Sequence, residues 1–164
     1  MIIPESPTSE LSSSTKLDHK RVISIFSMNQ NKFSLIKTYL EYNQKLDIKV
    51  INETLNNLLI EEDDYKSLKQ PVETFKNFDQ IALAQTLQKH ELLEFRRISA
   101  ILYRNNKRYK VSIELLKRDK LWQDSMESAK LSNDEQIVEE LLRYFVDGIK
   151  SELCPKSCFA ACLF

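Results

Sequence analysis

Apolar residues recur at helical spacing through most of this chain, and polar residues mark the breaks between the runs. The clearest stretch is Asn77 to Asn106. Asp79 is placed to cap a helix, because its carboxylate can accept from the first free backbone N–H groups. Ile81, Ala84 and Leu87 then share a face. The pattern breaks at Lys89-His90 and restarts with Leu92, Phe95, Ile98, Ser99 and Leu102. This predicts two helices joined by a tight turn. One such pair cannot bury both of its apolar faces, so it needs a similar pair on each side.

The flanking sequence supplies them. Asp18 is placed to cap a helix carrying Val22, Ile25 and Phe26, and Asn29-Gln30-Asn31 breaks the pattern. A second stripe follows with Phe33, Ile36 and Leu40, flanked by Leu35 and Tyr39. Asp47 is expected to cap a helix with Ile48, Ile51, Leu55, Leu58 and Leu59. The acidic cluster Glu61-Glu62-Asp63-Asp64 suits a helix start, where negative charge meets the positive end of the dipole. Tyr65, Leu68 and Val72 then face inward, and Pro71 should end or kink that helix. Beyond Asn106, Tyr109, Ile113 and Leu116 form a stripe beside Val111 and Leu115. Asp119 is expected to cap the next helix, with Trp122, Met126 and Ala129 inward and Leu121 alongside. Ser132-Asn133-Asp134 opens a strongly amphipathic helix with Ile137, Val138, Leu141, Leu142 and Phe145, expected to stop near Gly148. Helix starts near Asp79, Asn106 and Asn133 recur at about 27 residues, a helical-hairpin repeat length. The expected fold is all-α: an α-solenoid of antiparallel helix hairpins over residues 17–164, each pair packing mainly on its neighbours.

Composition sharpens this picture. Gly148 is the single glycine, which disfavours hairpin turns and phosphate-cradling loops. Lys plus Arg and Asp plus Glu both number 24. That balance argues against a nucleic-acid partner, which usually requires a basic excess. No stretch is apolar enough to span a bilayer, and Met1-Ile2-Ile3 is too short for a signal-peptide core. A soluble cytoplasmic protein is expected. Residues 1–16, with two prolines and a Ser/Thr run, are expected to be a disordered N-terminal segment.

Candidate chemistry is sparse. His19 and His90 read as surface or helix-capping residues, with no nucleophile or metal-ligand partner in spacing. The acidic cluster lacks the glycine and spaced oxygens of a calcium loop. Cys154, Cys158 and Cys162 lie at i, i+4 and i+8 near Phe159, Leu163 and Phe164. That spacing strains a disulfide and fits no zinc motif, so they read as small hydrophobes. P-loop, dinucleotide and nucleophile-elbow motifs are missing. No catalytic residue, cofactor, metal or small-molecule substrate is therefore expected. Glu91 and Glu94 should pair with Lys89, Arg96 or Arg97 on the surface. Arg96, Arg97, Arg104, Lys107, Arg108 and Lys110 form a basic ridge. It is the candidate partner-binding surface, suited to an acidic helix.

Several runs carry a family resemblance. These are Asn52-Glu53-Thr54-Leu55-Asn56-Asn57-Leu58, Glu61-Glu62-Asp63-Asp64-Tyr65, Asn77-Phe78-Asp79 and His90-Glu91-Leu92-Leu93-Glu94-Phe95-Arg96-Arg97-Ile98. Further runs are Ser112-Ile113-Glu114-Leu115 with Lys117 and Asp119, Glu139-Glu140-Leu141-Leu142, and Ala161-Cys162-Leu163-Phe164. From about Leu17 to Phe164 the chain resembles the clathrin heavy chain, at the proximal leg just before the trimerisation region. The resemblance implies an α-solenoid of heavy-chain repeats that scaffolds the coat in vesicle-mediated transport and endocytosis. It implies other clathrin heavy chains and the clathrin light chain as partners, and membrane contact only indirectly, through a coated pit or vesicle. Residues 1–16 do not match, and Leu153-Cys154-Pro155-Lys156 looks like a small insertion. The chain is far shorter than the family and stops where hub-building helices should follow, so a gene fragment is one alternative. A general helical-repeat adaptor is another.

Overall fold

The structure is a computed structural model that describes residues 18–27 and 33–150. The break at Asn29-Gln30-Asn31, the segment 1–16 and the three cysteines lie outside the described residues. All regular structure among the described residues is helical. It falls into two compact units, the first ending at Leu58 and the second beginning at Leu59.

The first unit holds α1 (His19–Ser27) and α2 (Phe33–Asn43), followed by a 3-10 turn (Gln44–Leu46) and most of α3 (Lys49–Glu61). Asp18 Oδ1 accepts from the N–H groups of Lys20 and Arg21 at 3.1 and 3.3 Å, as its capping role requires. The inward residue of α1 is Ile23, whereas Ile25 is 55% exposed. A nine-residue helix leaves the phase of a short stripe poorly determined. Ile36 and Leu40 are buried as expected and Leu35 is exposed. Asp47 stands two residues before the start of α3. It closes the 3-10 turn in the left-handed region, at φ 46°, and its carboxylate accepts from Asn52 Nδ2 at 2.7 Å. Ile51, Leu55, Leu58 and Leu59 are buried on α3.

The second unit holds the end of α3, then α4 (Tyr65–Thr74), α5 (Gln80–Leu87), α6 (Leu93–Asn105), α7 (Tyr109–Arg118), α8 (Trp122–Ser132) and α9 (Glu135–Lys150). From α5 to α9 each helix packs on the next, and α4 packs on α6. The helices therefore form two layers, α4, α6 and α8 in one and α5, α7 and α9 in the other. This is the hairpin stack predicted above. Its core is distributed along the stack. Ala100, Leu115 and Leu116 close on one another between α6 and α7, with Leu121 against them. Ile113, Ala129, Ile137, Leu141 and Phe145 form the next cluster, covered by Tyr109, Trp122, Met126 and Val138. Trp122 meets Phe145 edge to face at 5.8 Å, a favoured aromatic geometry.

Small polar residues let the helices approach closely. Ser99 and Ser112 are fully buried. Ser99 Oγ donates to the Ala84 carbonyl on the preceding helix at 2.8 Å, and Ser112 Oγ donates to that of Ala100 at 2.8 Å. Each buried hydroxyl is thereby satisfied.

The helix ends depart most from expectation. Asp79 caps α5 through Ala82 N–H at 2.9 Å, and Asp64 caps α4 through Ser67 N–H at 3.1 Å. Pro71, however, lies inside α4, which continues to Thr74. Its ring removes the donor for the Ser67 carbonyl, but Ser67 is exposed and only one turn remains. Asn106 and Asn133 end α6 and α8, and α7 and α9 open at Tyr109 and Glu135. Asp119 ends α7, while Leu121 stands before α8. The last helix passes Gly148 to reach Lys150.

One device recurs at three of these ends. Asp63, Lys107 and Lys120 have φ of 56, 60 and 59°. The N–H of each donates three residues back, to Ile60, Arg104 and Lys117. The N–H of the following residue reaches five back, to Leu59, Tyr103 and Leu116, each at 2.9 Å. This is the Schellman closure, whose left-handed position is usually glycine. Scarcity of glycine therefore did not mean absence of left-handed turns.

Candidate functional site

Arg96, Arg97 and Arg104 are carried by α6 and face the neighbouring turn and α8. Arg96 Nε donates to Asp119 Oδ2 at 2.8 Å, and its Nη1 donates to the carbonyls of His90 and Glu91 at 2.9 and 2.6 Å. Its side chain is only 20% exposed and that of Asp119 8%. This one guanidinium therefore ties the α5–α6 turn to the α7–α8 turn. The expected surface pairing of Arg96 with Glu91 is made instead to the Glu91 backbone carbonyl.

Arg97 pairs with Asp124, with Nη2 to Oδ1 at 2.8 Å. The hydrogen bond to Asp124 raises its pKa further above the usual guanidinium value. Arg104 Nη1 reaches Glu127 at 3.2 Å. With Asp124 and Glu127 both on α8, these pairs form a ladder between successive helices of one layer. A groove of about 190 Å³ runs beside the ladder, with Lys69 and Glu73 of α4 on its far wall.

Lys107, Arg108 and Lys110 stand together at the α6–α7 turn. Lys107 and Arg108 are exposed, and Lys110 reaches Glu140 of α9 at a loose 3.9 Å. They border a groove completed by Val111, Ser132, Asp134 and Ile137. The six basic residues thus form two groups: three arginines engaged between helices, and three residues open to solvent at a turn.

Both histidines have structural partners. His19 Nδ1 lies 2.7 Å from the Tyr39 hydroxyl. His90 Nδ1 accepts from Leu92 N–H at 3.2 Å, where Leu92 precedes α6 without a side-chain cap of its own. Its Nε2 therefore carries the ring proton and points at Asp63 Oδ1, 3.3 Å away. The ring packs on Phe95 at 4.3 Å. His90 thus closes the turn just ahead of α6 rather than capping the helix itself, whose N-cap position is Leu92. Among the described residues no group of three His, Cys, Asp or Glu side chains could hold a metal ion, and no helix is long and apolar enough to cross a membrane.

The role of Asp119 and Asp124 as cross-helix acceptors was missed in the sequence. The Lys117-to-Tyr144 cation–π contact at 4.7 Å was also missed. Both depend on which residues of successive hairpins fall level, and linear spacing does not reveal that register.

Residues 11–153 match the sequence profile described as a region in clathrin and VPS. The clathrin heavy chain of Drosophila melanogaster is 50% identical over 149 residues, covering 91% of this chain and 8% of that protein. The probable clathrin heavy chain 1 of Caenorhabditis elegans is 47% identical over 151 residues, 92% of this chain and 9% of that protein. The human clathrin heavy chain 2 is 44% identical over 151 residues, again 92% of this chain and 9% of that protein. The chain thus spans less than a tenth of the length of the relatives it matches. With a stacked-hairpin fold and collinear identity over nine-tenths of its length, this chain belongs to the clathrin heavy chain family.

Proposed function

We propose that this chain is a structural, non-enzymatic segment of a clathrin-type coat in vesicle-mediated transport, placed in the proximal leg near its C-terminal end. The observation that carries the reading is the combination of near-half identity to clathrin heavy chains with a hairpin stack whose polar groups join helix to helix. Such a stack offers shape and side surfaces rather than a reacting group. Its work is to hold those surfaces at fixed spacing, so that many weak contacts with neighbouring legs add through effective concentration. The segment is cytoplasmic and meets a membrane only through the coat.

A clathrin light chain helix is the proposed lateral partner. The open basic group Lys107, Arg108 and Lys110 is its proposed landing point, because like positive charges at one turn attract an acidic helix. Arg96, Arg97 and Arg104 support that surface by fixing α6 against its neighbours. The test is a pull-down of recombinant light chain with the full chain. Capture at micromolar concentration, weakened by Lys107→Glu with Arg108→Glu, is expected. No capture at that concentration removes the coat reading for this segment.

A further inference from the structure

The C-terminal end of α7 gathers aromatic rings and cations that the proposed light-chain surface does not use. Trp122 opens α8 and Tyr144 lies toward the end of α9, and their ring centres are 6.0 Å apart. Lys117 of α7 holds its ammonium 4.7 Å from the centre of the Tyr144 ring. Tyr144 is still 41% exposed beside these partners, and Trp122 is half-buried. The adjoining α7–α8 turn exposes Arg118 and Lys120. Its one carboxylate, Asp119, is shared between Arg96 at 2.8 Å and Arg118 at 3.7 Å. The end stays positive even when the exposed Glu114 and Asp147, each within one helical turn of it, are counted.

We propose that this end docks a short acidic peptide segment of a partner protein that carries one aromatic side chain. The peptide carboxylates face Arg118 and Lys120, and its ring packs against the exposed parts of Tyr144 and Trp122. Tyrosine, tryptophan and arginine are the residues enriched at protein interfaces. Nucleic acid fits this end less well. A base needs an open ring face to stack on, but Lys117 covers one face of Tyr144, and Trp122 is tilted 40° to it. The rings therefore present a corner rather than a platform. This surface is distinct from Lys107, Arg108 and Lys110, which stand at the other end of α7, about 15 Å away along a ten-residue helix. Exposed charge pairs are individually weak and screened by salt, so the aromatic anchor supplies the part of the affinity that salt does not remove. Docking here does not depend on the coat reading.

Trp122 is the single tryptophan of the chain, so its fluorescence reads the site directly. The probe is the end-blocked peptide Glu-Glu-Phe-Glu-Glu, titrated into the full chain at low and at physiological ionic strength. A saturable change in emission is expected, with affinity at least about threefold weaker once salt screens the charges. Replacing the phenylalanine of the peptide by alanine, or its glutamates by lysine, should weaken binding at least about tenfold. Arg118→Glu with Lys120→Glu should do the same, as should Tyr144→Ala, with circular dichroism checking that the helices are retained. The peptide comparisons on the wild-type chain decide the matter even if a variant loses its helices. Lys107→Glu with Arg108→Glu should leave binding within about twofold of wild type at physiological ionic strength, where the screening length is shorter than α7. No saturable change, equal binding of the alanine or lysine peptide, or wild-type binding by either folded variant at this end would overturn the proposal. An equal loss in the Lys107 and Arg108 variant, or tighter binding of a single-stranded oligothymidine of the same charge, would also overturn it. Each of these results leaves light-chain capture, and with it the coat reading, untouched.

Discussion

Replacing Lys107 and Lys120 with glycine should stabilise this protein, although glycine usually weakens a helical chain. Both lysines hold the left-handed position of a Schellman closure, at φ of 60 and 59°, and both are exposed. A side chain with a Cβ costs roughly 1–2 kcal/mol in that region. Glycine removes this cost but gives back about 0.5–1 kcal/mol through the extra freedom of the unfolded chain. The balance is a gain of about 0.5–1 kcal/mol per site and about 1–2 kcal/mol for the double variant, since separate turns add. At about 2–4 °C per kcal/mol for a chain of this size, Tm should rise by roughly 2–8 °C. Glu114→Gly, at an exposed position inside α7, is the control and should lose between about 0.5 and 1 kcal/mol. Urea unfolding followed by circular dichroism reads all three. If the turn variants lose stability as the control does, the closures are not left-handed and this account of the helix ends is wrong.

Other substitutions probe the joints between helices. Asp119→Ala leaves the largely buried Arg96 guanidinium without its carboxylate and should cost about 1–3 kcal/mol in urea unfolding, whereas the nearly isosteric Asp119→Asn should cost less. Ser112→Ala should cost about 0.5–1.5 kcal/mol through the lost bond to Ala100. Ser112→Val should cost more, because the added methyl groups enter a contact with no room for them. Burial pushes the Tyr39 phenol above the ordinary phenol pKa of 10.0. The folded chain thus holds that proton more tightly than the unfolded one, so stability is full below pH 10 and falls as pH rises through the folded pKa. In alkaline unfolding curves Tyr39→Phe, which loses the hydroxyl's bond to His19, starts from a constant offset near neutrality, but its stability should lack the additional fall that wild type shows in that window.

Most of the fold could be read from apolar spacing, because a hairpin stack is built from contacts between sequence neighbours. Phe95, Ile98 and Leu102, or Ile137, Leu141 and Phe145, are buried where a 3.6-residue period puts them. The ends of helices were read less well, for a physical reason. A carboxylate near a boundary can cap the helix ahead, as Asp79 does. It can also bond a side chain instead, distant in sequence as Asp119 does with Arg96 or nearby as Asp47 does with Asn52. Only the third dimension decides. The same holds for the basic ridge. Its six residues lie close in sequence, but the helix period turns Arg96, Arg97 and Arg104 toward acidic neighbours and leaves Lys107 and Arg108 at an open turn. The left-handed lysines were invisible because residue preference pointed to glycine, and backbone bonds from the following residues overrode that preference.

Stability here is a sum of neighbour contacts, so damage should stay local. Hydrogen exchange of the Phe145→Ala variant tests this most directly. Phe145 is 2% exposed in the cluster joining α7, α8 and α9, and its truncation should cost about 3–5 kcal/mol. The stack predicts faster exchange in α8, α9 and the adjoining part of α7, with α5 and the α5–α6 turn protected as in wild type. A uniform loss of protection from α4 to α9 would instead mean one cooperative core, and would contradict the account.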